Sequence, residues 1–163
     1  DVRKFGYFAN ITNPISLLNF KKLGREPFLL KKYTNCLWVF LKKKNVNIKS
    51  LLLDQSFIAG IGNIYASEIL FDSKIYPFKV AKKINKYSFS KLINSVEKIL
   101  INSISKGGST IKDFKNTAGE LGYFQNDLKV YDREGLTCYK CKSLIIKVKS
   151  KGRSSFYCKS CQR

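Results

Sequence analysis

The chain has 163 residues, of which 44% are hydrophobic, and its 31 Lys and Arg against 11 Asp and Glu give a formal net charge of +20. This apolar content suffices for a buried core and excludes wholesale disorder. No apolar run approaches the roughly 20 residues of a membrane span. The chain has no His, which excludes Ser–His, Cys–His and His–metal chemistry within these residues. We expect a soluble, intracellular, strongly basic protein of one domain, or of one domain plus a small module.

The positive charge is unevenly distributed along the chain. Residues 135–163 contain eight Lys and Arg and no carboxylate. A polyanionic partner would offset the self-repulsion of such a surface, so the charge favours a nucleic-acid partner. The alternative is that a low-GC genome encodes Lys freely and that these lysines lie on solvated helix faces, since 26 of the 31 positive residues are Lys.

In chain order, the first predicted element is a strand over Asp1–Phe8. A strand without a nearby pairing partner suggests a chain cut within a larger sheet. Gly24–Pro27 is predicted to interrupt regular secondary structure. After it, apolar residues predict a helix over Phe28–Lys43, in which Cys36 is expected to be buried.

Ser50–Phe71 predicts two short helices on either side of a glycine turn. The turn contains Gly60 and Gly62, and Asn63 stands where the N-cap of the second helix is expected. The clearest helix is predicted over Phe89–Ser105, with Ser88 as its cap and the following glycines as its stop.

A polar loop (109–122) and a short strand (128–131) are predicted next, followed by a cysteine-bearing module. The predicted fold class is mainly α with a small β part.

The module contains two Cys-x-x-Cys pairs separated by sixteen residues: Cys138, Cys141, Cys158 and Cys161. Two such knuckles at the ends of a hairpin close a tetrahedral four-thiolate site that suits one structural Zn²⁺. A redox pair is the alternative, but it would call for one such motif in a βαβ unit. Lys151–Gly152 is predicted as the hairpin turn, so Arg153 would lie at the tip, either against a phosphate or as an ordinary exposed side chain.

Four segments, which occur in this order and span nearly the whole chain, resemble the C-terminal part of bacterial formamidopyrimidine-DNA glycosylase: residues 1–6, 52–68, 107–114 and 122–162. Ile64–Ser67 favours this family over its sister family, endonuclease VIII. The resemblance implies a helical domain containing a helix–two-turn–helix, plus a C-terminal zinc-finger β-hairpin. It divides the chain into a stub of an N-terminal β-sandwich (1–12), the helical domain (13–130) and the zinc finger (131–163). The helix–two-turn–helix would cover about 48–72 and a lesion-recognition loop about 109–122.

The resemblance also implies site residues. Asn63 should hold a phosphate beside the damaged nucleotide, although it could also only cap its helix. Arg153 matches the zinc-finger arginine that grips phosphates and donates a proton in δ-elimination. Tyr131 matches a tyrosine that contacts the DNA backbone. Lys44 and Lys49, ahead of the first turn helix, are candidate phosphate neighbours, with a solvated helix face as the alternative.

Three further matches concern the extruded base. Arg3 would hydrogen-bond the orphaned cytosine and Phe5 would wedge the base stack, although composition alone would place Phe5 in a core. Lys112 matches a lysine of the lesion-recognition loop, and is otherwise one more solvated lysine.

The activity implied is that of a bifunctional DNA glycosylase and AP lyase. It would remove 8-oxoguanine and formamidopyrimidines from double-stranded DNA, as a monomer in the bacterial cytoplasm with no membrane partner. That chemistry needs an N-terminal proline nucleophile and an adjacent glutamate, whereas the first residue here is Asp1. We therefore expect the isolated chain to bind DNA without catalysing its cleavage. The alternatives are a non-catalytic zinc-ribbon module that binds DNA or RNA, and a ribosome-associated zinc protein.

Overall fold

The computed structural model describes residues 23–108, 123–150 and 152–163. These ranges contain four α-helices and one antiparallel pair of strands: α1 (Thr34–Lys42), α2 (Ile48–Leu52), α3 (Asn63–Asp72), α4 (Lys86–Ser105), β1 (Ile145–Ser150) and β2 (Arg153–Cys158). Three 3-10 helices join them: Pro27–Tyr33, Ala81–Lys83 and Phe124–Asp127. A mainly helical chain with a small hairpin confirms the predicted fold class. None of the helices in these ranges has the length and apolar character needed to cross a bilayer.

The first predicted helix is divided in two. Pro27 opens a 3-10 helix, and α1 continues from Thr34. Leu37 and Leu41, four residues apart, form the buried face of α1. Cys36 is exposed, so the prediction that it is buried was wrong: it lies beside this apolar face rather than on it.

The two helices of the helix–two-turn–helix begin differently. The side chain of Asn47 caps α2 by accepting a hydrogen bond from Ser50 N at 2.7 Å. The N-cap of α3 is Gly62, so the cap expected at Asn63 was wrong, and Asn63 is the first helical residue. In the turn, Gly60 adopts φ +79°, a conformation that glycine tolerates without strain.

The longest helix, α4, begins three residues earlier than predicted. Asn85 is its N-cap, and its side chain accepts from Ser88 N at 2.8 Å. Ser88 is therefore inside the first turn, and the prediction that it caps the helix was wrong. Gly107 and Gly108, with φ +70° and +87°, follow the last turn as predicted.

Two buried clusters share the helix α3. The larger one joins the four helices and includes Leu41, Leu52, Ile69, Phe89 and Val96. The smaller one lies under the hairpin and consists of Phe71, Val130, Cys138, Ile145, Phe156 and Cys158. Because Phe71 belongs to α3, this helix packs against α4 on one side and supports β2 on the other.

The hairpin turns where the sequence predicted it, and the structure adds the pairing of its strands. Ile145 pairs with Cys158 and Ser150 pairs with Arg153, and Gly152, just before β2, adopts φ +75°. The prediction of a strand over 128–131 was wrong. These residues follow the 3-10 helix Phe124–Asp127 as an irregular segment of bends and a turn.

Candidate nucleic-acid interface and metal centre

The four cysteines of the two knuckles meet at the base of the hairpin. Their sulfur atoms all lie within 4.8 Å of one another. The Cys138 and Cys161 sulfurs are 3.9 Å apart, and those of Cys141 and Cys158 are 3.3 Å apart. A tetrahedral zinc site with Zn–S bonds of about 2.3 Å places its sulfurs about 3.8 Å apart. The cluster therefore fits a metal ion bound by four thiolates.

The electrostatics of the cluster also suit a cation. Hydrogen bonding from Ser143 lowers the pKa of the Cys141 thiol to about 6, so one thiolate forms near neutral pH. Burial raises the pKa of Cys158. Since only thiolates ligate, binding a cation would release the remaining protons.

The start of β2 is attached to the helix–two-turn–helix mainly through the carbonyl group of Ser154. The ammonium group of Lys49 donates to Ser154 O at 2.8 Å and to the Ser155 hydroxyl at 2.9 Å. The Asn63 side-chain Nδ2 donates to the same Ser154 oxygen at 3.1 Å. These contacts join segments that are about a hundred residues apart, and they place the start of α3 beside Arg153.

Lys49 is unusual because it is a cation that is only 3% exposed. Burial, followed by repulsion from Arg153, lowers its pKa to about 8. It was expected to precede the first turn helix as a solvated or phosphate-contacting lysine; it lies inside α2, with its ammonium group under the hairpin.

A cavity of about 290 Å³ opens where the hairpin meets α2, and Lys49, Arg153 and Asp54 help to line it. Lys44 lies near its edge. The ammonium group of Lys44 is 4.1 Å from the centre of the Phe40 ring, and its charge contributes to the lowered pKa of Asp54, after hydrogen bonds from Ser56. The surface thus presents several cations around one concave site.

Asn63 is half-buried, and its Oδ1 has no hydrogen-bond partner within the described residues. One proton of its Nδ2 group is committed to Ser154 O, which leaves the second available for another acceptor. The first backbone N–H groups of the ten-residue helix α3 lie beside it. Such groups favour an anion.

Tyr131 is positioned by its ring and its backbone. The ring packs on Phe156 with centroids 4.9 Å apart. Its N–H donates to the Glu68 carboxylate at 2.9 Å. That carboxylate, which is 2% exposed, also accepts from Lys129 N and Val130 N at 2.9 and 3.0 Å. Burial raises the pKa of Glu68, while the three N–H donors oppose the increase. These three hydrogen bonds satisfy the backbone N–H groups that pairing with a neighbouring strand would satisfy if 129–131 formed a strand.

Asn63 contacts the hairpin next to Arg153. Lys44 does not line the cavity, but its charge acts on Asp54, which does. The four cysteines form the cluster at the hairpin base. Tyr131 lies against the hairpin between these ends. Arg3, Phe5 and Lys112 lie outside the described residues, as do the 1–12 stub and the 109–122 loop.

Sequence reasoning assigned no role to Glu68 or Gln162. A signal for Glu68 is present in the sequence, because it is the acid in a run of otherwise small or apolar residues, Ala66–Phe71. Gln162 follows the last cysteine and is also buried, with nothing in its spacing to indicate a partner.

The fold and the site define a helix–two-turn–helix domain joined to a four-cysteine hairpin. The family model described as "Formamidopyrimidine-DNA glycosylase H2TH domain" matches residues 23–115. A formamidopyrimidine-DNA glycosylase of Rickettsia africae is 42% identical over 163 residues, which cover 99% of this chain and 60% of the relative. One from Prochlorococcus marinus is 42% identical over 167 residues, covering 100% of this chain and 57% of the relative.

Solved structures of the same family are also similar to this chain. The Lactococcus lactis enzyme in complex with DNA containing an abasic site superposes with a TM-score of 0.91 at 37% identity, covering 100% of this chain and 60% of that one. The Thermus thermophilus protein gives a TM-score of 0.82 at 34% identity, covering 86% of this chain and 54% of that one. The chain therefore belongs to the formamidopyrimidine-DNA glycosylase family, and it spans about 60% of the length of the curated relatives it matches. This confirms the resemblance seen in the sequence.

Proposed function

We propose that this chain is the DNA-binding and metal-hairpin portion of a base-excision repair glycosylase that removes oxidised purines, 8-oxoguanine and formamidopyrimidines, and also cleaves abasic sites. The observation that carries the proposal is the shared hydrogen bonding at Ser154 O, where Asn63 at the start of α3 lies beside the hairpin tip that bears Arg153. Two anion-binding features that lie next to each other suit the backbone of a kinked duplex. The similar Lactococcus lactis protein forms a complex with abasic-site DNA, which supports a damaged duplex as the partner.

Each predicted site residue has a role in this proposal. The free Nδ2 proton of Asn63 and the guanidinium group of Arg153 bind phosphates beside the lesion. Tyr131 and Lys44 contact the backbone further along. In δ-elimination, Arg153 donates a proton to the oxygen of the departing phosphate, and the neutral guanidine that remains recovers a proton from water.

The roles at the base pair also come from the family resemblance. Arg3 and Phe5 fill the space left by the extruded base, and Lys112 belongs to the loop that recognises it. The division into 1–12, 13–130 and 131–163 belongs to the same proposal.

The metal is proposed to be one structural Zn²⁺. Four thiolates form a soft ligand set that favours zinc over hard cations such as Mg²⁺. Cys138, Cys141, Cys158 and Cys161 would hold it, and its contribution is to fix the two knuckles of a hairpin whose own core is small.

We also propose that the protein acts as a monomer on DNA in the bacterial cytoplasm. One domain that grips one duplex needs no second copy to complete the site. The chain should sediment as a single subunit, both free and as a complex with one duplex.

The test compares duplexes that differ only in one nucleotide. The zinc-loaded 163-residue chain should bind a duplex containing a stable abasic-site analogue more tightly than the undamaged duplex, by about tenfold, because an abasic duplex kinks at lower cost. It should form no borohydride-trapped adduct with an 8-oxoguanine:cytosine duplex, because the N-terminal proline amine is not among its residues. Fluorescence anisotropy and denaturing gels measure the two outcomes.

Equal affinity for the two duplexes would favour a plain zinc-ribbon binder over the repair function. A robust trapped adduct would contradict the assignment of the nucleophile outside these 163 residues.

A further inference from the structure

Gln162, the residue after the last cysteine, is a buried polar side chain to which the proposed function assigns no role. It is 2% exposed. Its Oε1 accepts a hydrogen bond from the backbone N–H of Cys158 at 2.9 Å, and its Nε2 donates to Ile75 O at 2.9 Å. One amide group therefore joins a metal-ligating residue to the loop that follows α3.

Backbone bonds continue the same attachment. Arg163 N donates to Lys74 O at 3.2 Å, and Tyr76 N donates to Arg163 O at 3.3 Å. Beside them, the rings of Tyr76 and Tyr157 meet edge to face, with centroids 5.2 Å apart. The knuckle formed by Cys158 and Cys161 is thus held against the end of α3 by polar and aromatic contacts.

The strand β2 is consequently fixed to the helical body at two points. Near its start, Ser154 O accepts from Lys49 and Asn63. At its end, Cys158 N donates to the Gln162 side chain, which in turn donates to Ile75 O in the helical body. Four residues of extended chain separate these points by about 13 Å. Apolar contacts of Phe71 with the hairpin support the strand between these points, and the two polar attachments fix its direction.

We propose that Gln162 is a positioning residue that couples the metal centre to the helical body and so holds Arg153 beside Asn63. This inference rests on the proposed function and concerns how its DNA-binding surface is held in place. The role suits an amide, because the site needs one acceptor, for Cys158 N, and one donor, for Ile75 O. Leucine provides neither, while a glutamate would accept from Cys158 N but repel the Ile75 carbonyl.

The experiment uses the full chain loaded with zinc and the variant Gln162→Leu. We expect the variant to keep one zinc per chain and to bind the abasic-site duplex about tenfold more weakly. In an Arg153→Ala background, the substitution at Gln162 should have little further effect, because the group that it positions is gone. The matched control is Ser160→Ala, an exposed position on the same knuckle whose hydroxyl meets only Ser143. It should bind like the parent chain.

A second measurement needs no DNA. Burial under the hairpin lowers the pKa of Lys49 to about 8, so a hairpin that pivots should let that pKa rise towards 10.5, measured by NMR at the Lys49 side chain. A local packing defect around Gln162 would not reach Lys49. If Gln162→Leu does not fold, Gln162→Glu, which retains the acceptor, is measured in its place.

Three results would overturn the inference. These are an unchanged Lys49 pKa in a folded variant, a loss of affinity of the same size with and without Arg153, and a loss of the bound zinc. The proposed function fails separately, if the parent chain does not prefer the abasic duplex. The Lys49 measurement still decides the role of Gln162 in that case.

Discussion

At the scale of single residues, the buried cation Lys49 shows best how stability and binding oppose each other. Its ammonium group has two acceptors, Ser154 O and the Ser155 hydroxyl. It has no carboxylate partner in hydrogen-bond range within the described residues, and Arg153 repels it. A cation held this way disfavours folding while it is charged, and its third proton is the one that, under the proposed function, would bind an incoming phosphate.

Lys49 therefore predicts two pH dependences of opposite sign. Its pKa is about 8 in the folded chain against an ordinary 10.5, so between these values the unfolded chain binds the extra proton. The free energy of unfolding should rise with pH across that window through this group. DNA affinity should fall over the same range, by about tenfold, because the phosphate loses its charged donor.

The measurement is denaturant unfolding and anisotropy from about pH 7 to about pH 10. Lys49→Met should make both profiles less steep, because the group whose pKa differs most between the folded and unfolded chain at this cavity is then absent. Lys83→Met, which removes an exposed lysine, should leave them unchanged. A profile for Lys49→Met that matches the parent chain would contradict this account.

Glu68 is the second residue whose burial has a cost that its contacts offset. Replacing it by Gln keeps the shape, but it turns an acceptor for three N–H groups into a group with one acceptor and one donor. At least one N–H of the 129–131 segment would then face another donor. We expect Glu68→Gln to lower the free energy of unfolding by about 1–3 kcal/mol, measured by denaturant titration.

The matched control is Glu97→Gln, which removes an acid from the surface ion pair with Lys31. Such pairs contribute about 0–1 kcal/mol. Equal effects of the two substitutions would show that the three-amide contact does not stabilise the fold.

At the scale of elements, local sequence patterns were sufficient to predict the hairpin, the cysteine cluster and most of α4. Alternation along β1, the spacing of two Cys-x-x-Cys pairs and apolar residues on one helix face are short-range signals. The cap of α4 was misplaced because Asn85 and Ser88 are both good cap residues, three positions apart.

Tertiary contacts decided the features that the sequence did not predict. The segment 128–131 bonds to Glu68, which is about sixty residues away, and Lys49 lies under a strand about a hundred residues away. Neither partner is visible from periodicity. The family resemblance assigned DNA phosphates to both Asn63 and Arg153, and the structure adds a direct contact of Asn63 with the hairpin at Ser154 O.

The metal should stabilise the hairpin more than the helices. The cluster beneath the hairpin has only six buried members, and two of them are metal-ligating cysteines. Removal of the metal by a chelator should therefore abolish amide protection in β1 and β2 while protection persists in α4, as measured by hydrogen exchange. Thermal unfolding should begin at a lower temperature.

Two cysteine variants control this experiment. Cys36→Ser, outside the cluster, should bind one metal ion and unfold like the parent chain, whereas Cys161→Ser should resemble the metal-free protein. Hairpin protection that survives complete removal of the metal would contradict a structural role for the site.

At the scale of the whole molecule, the proposed function assigns one partner, a DNA duplex, to a net charge of +20 and to two attached structural units. Charge alone gives affinity for any polyanion and depends steeply on salt. Preference for a lesion needs geometry, which here is the fixed placement of a hairpin tip against the start of α3. The central claim is that these two features form a single phosphate-binding surface.

A double-mutant cycle on Asn63 and Arg153 tests that claim most directly. Binding of the abasic-site duplex is measured at one fixed salt concentration for the parent chain, Asn63→Ala, Arg153→Ala and the double variant. The account predicts that each single substitution weakens binding by about tenfold and that the double variant loses clearly less than the product of the two. Losses that multiply independently, or no loss from either substitution, would contradict it.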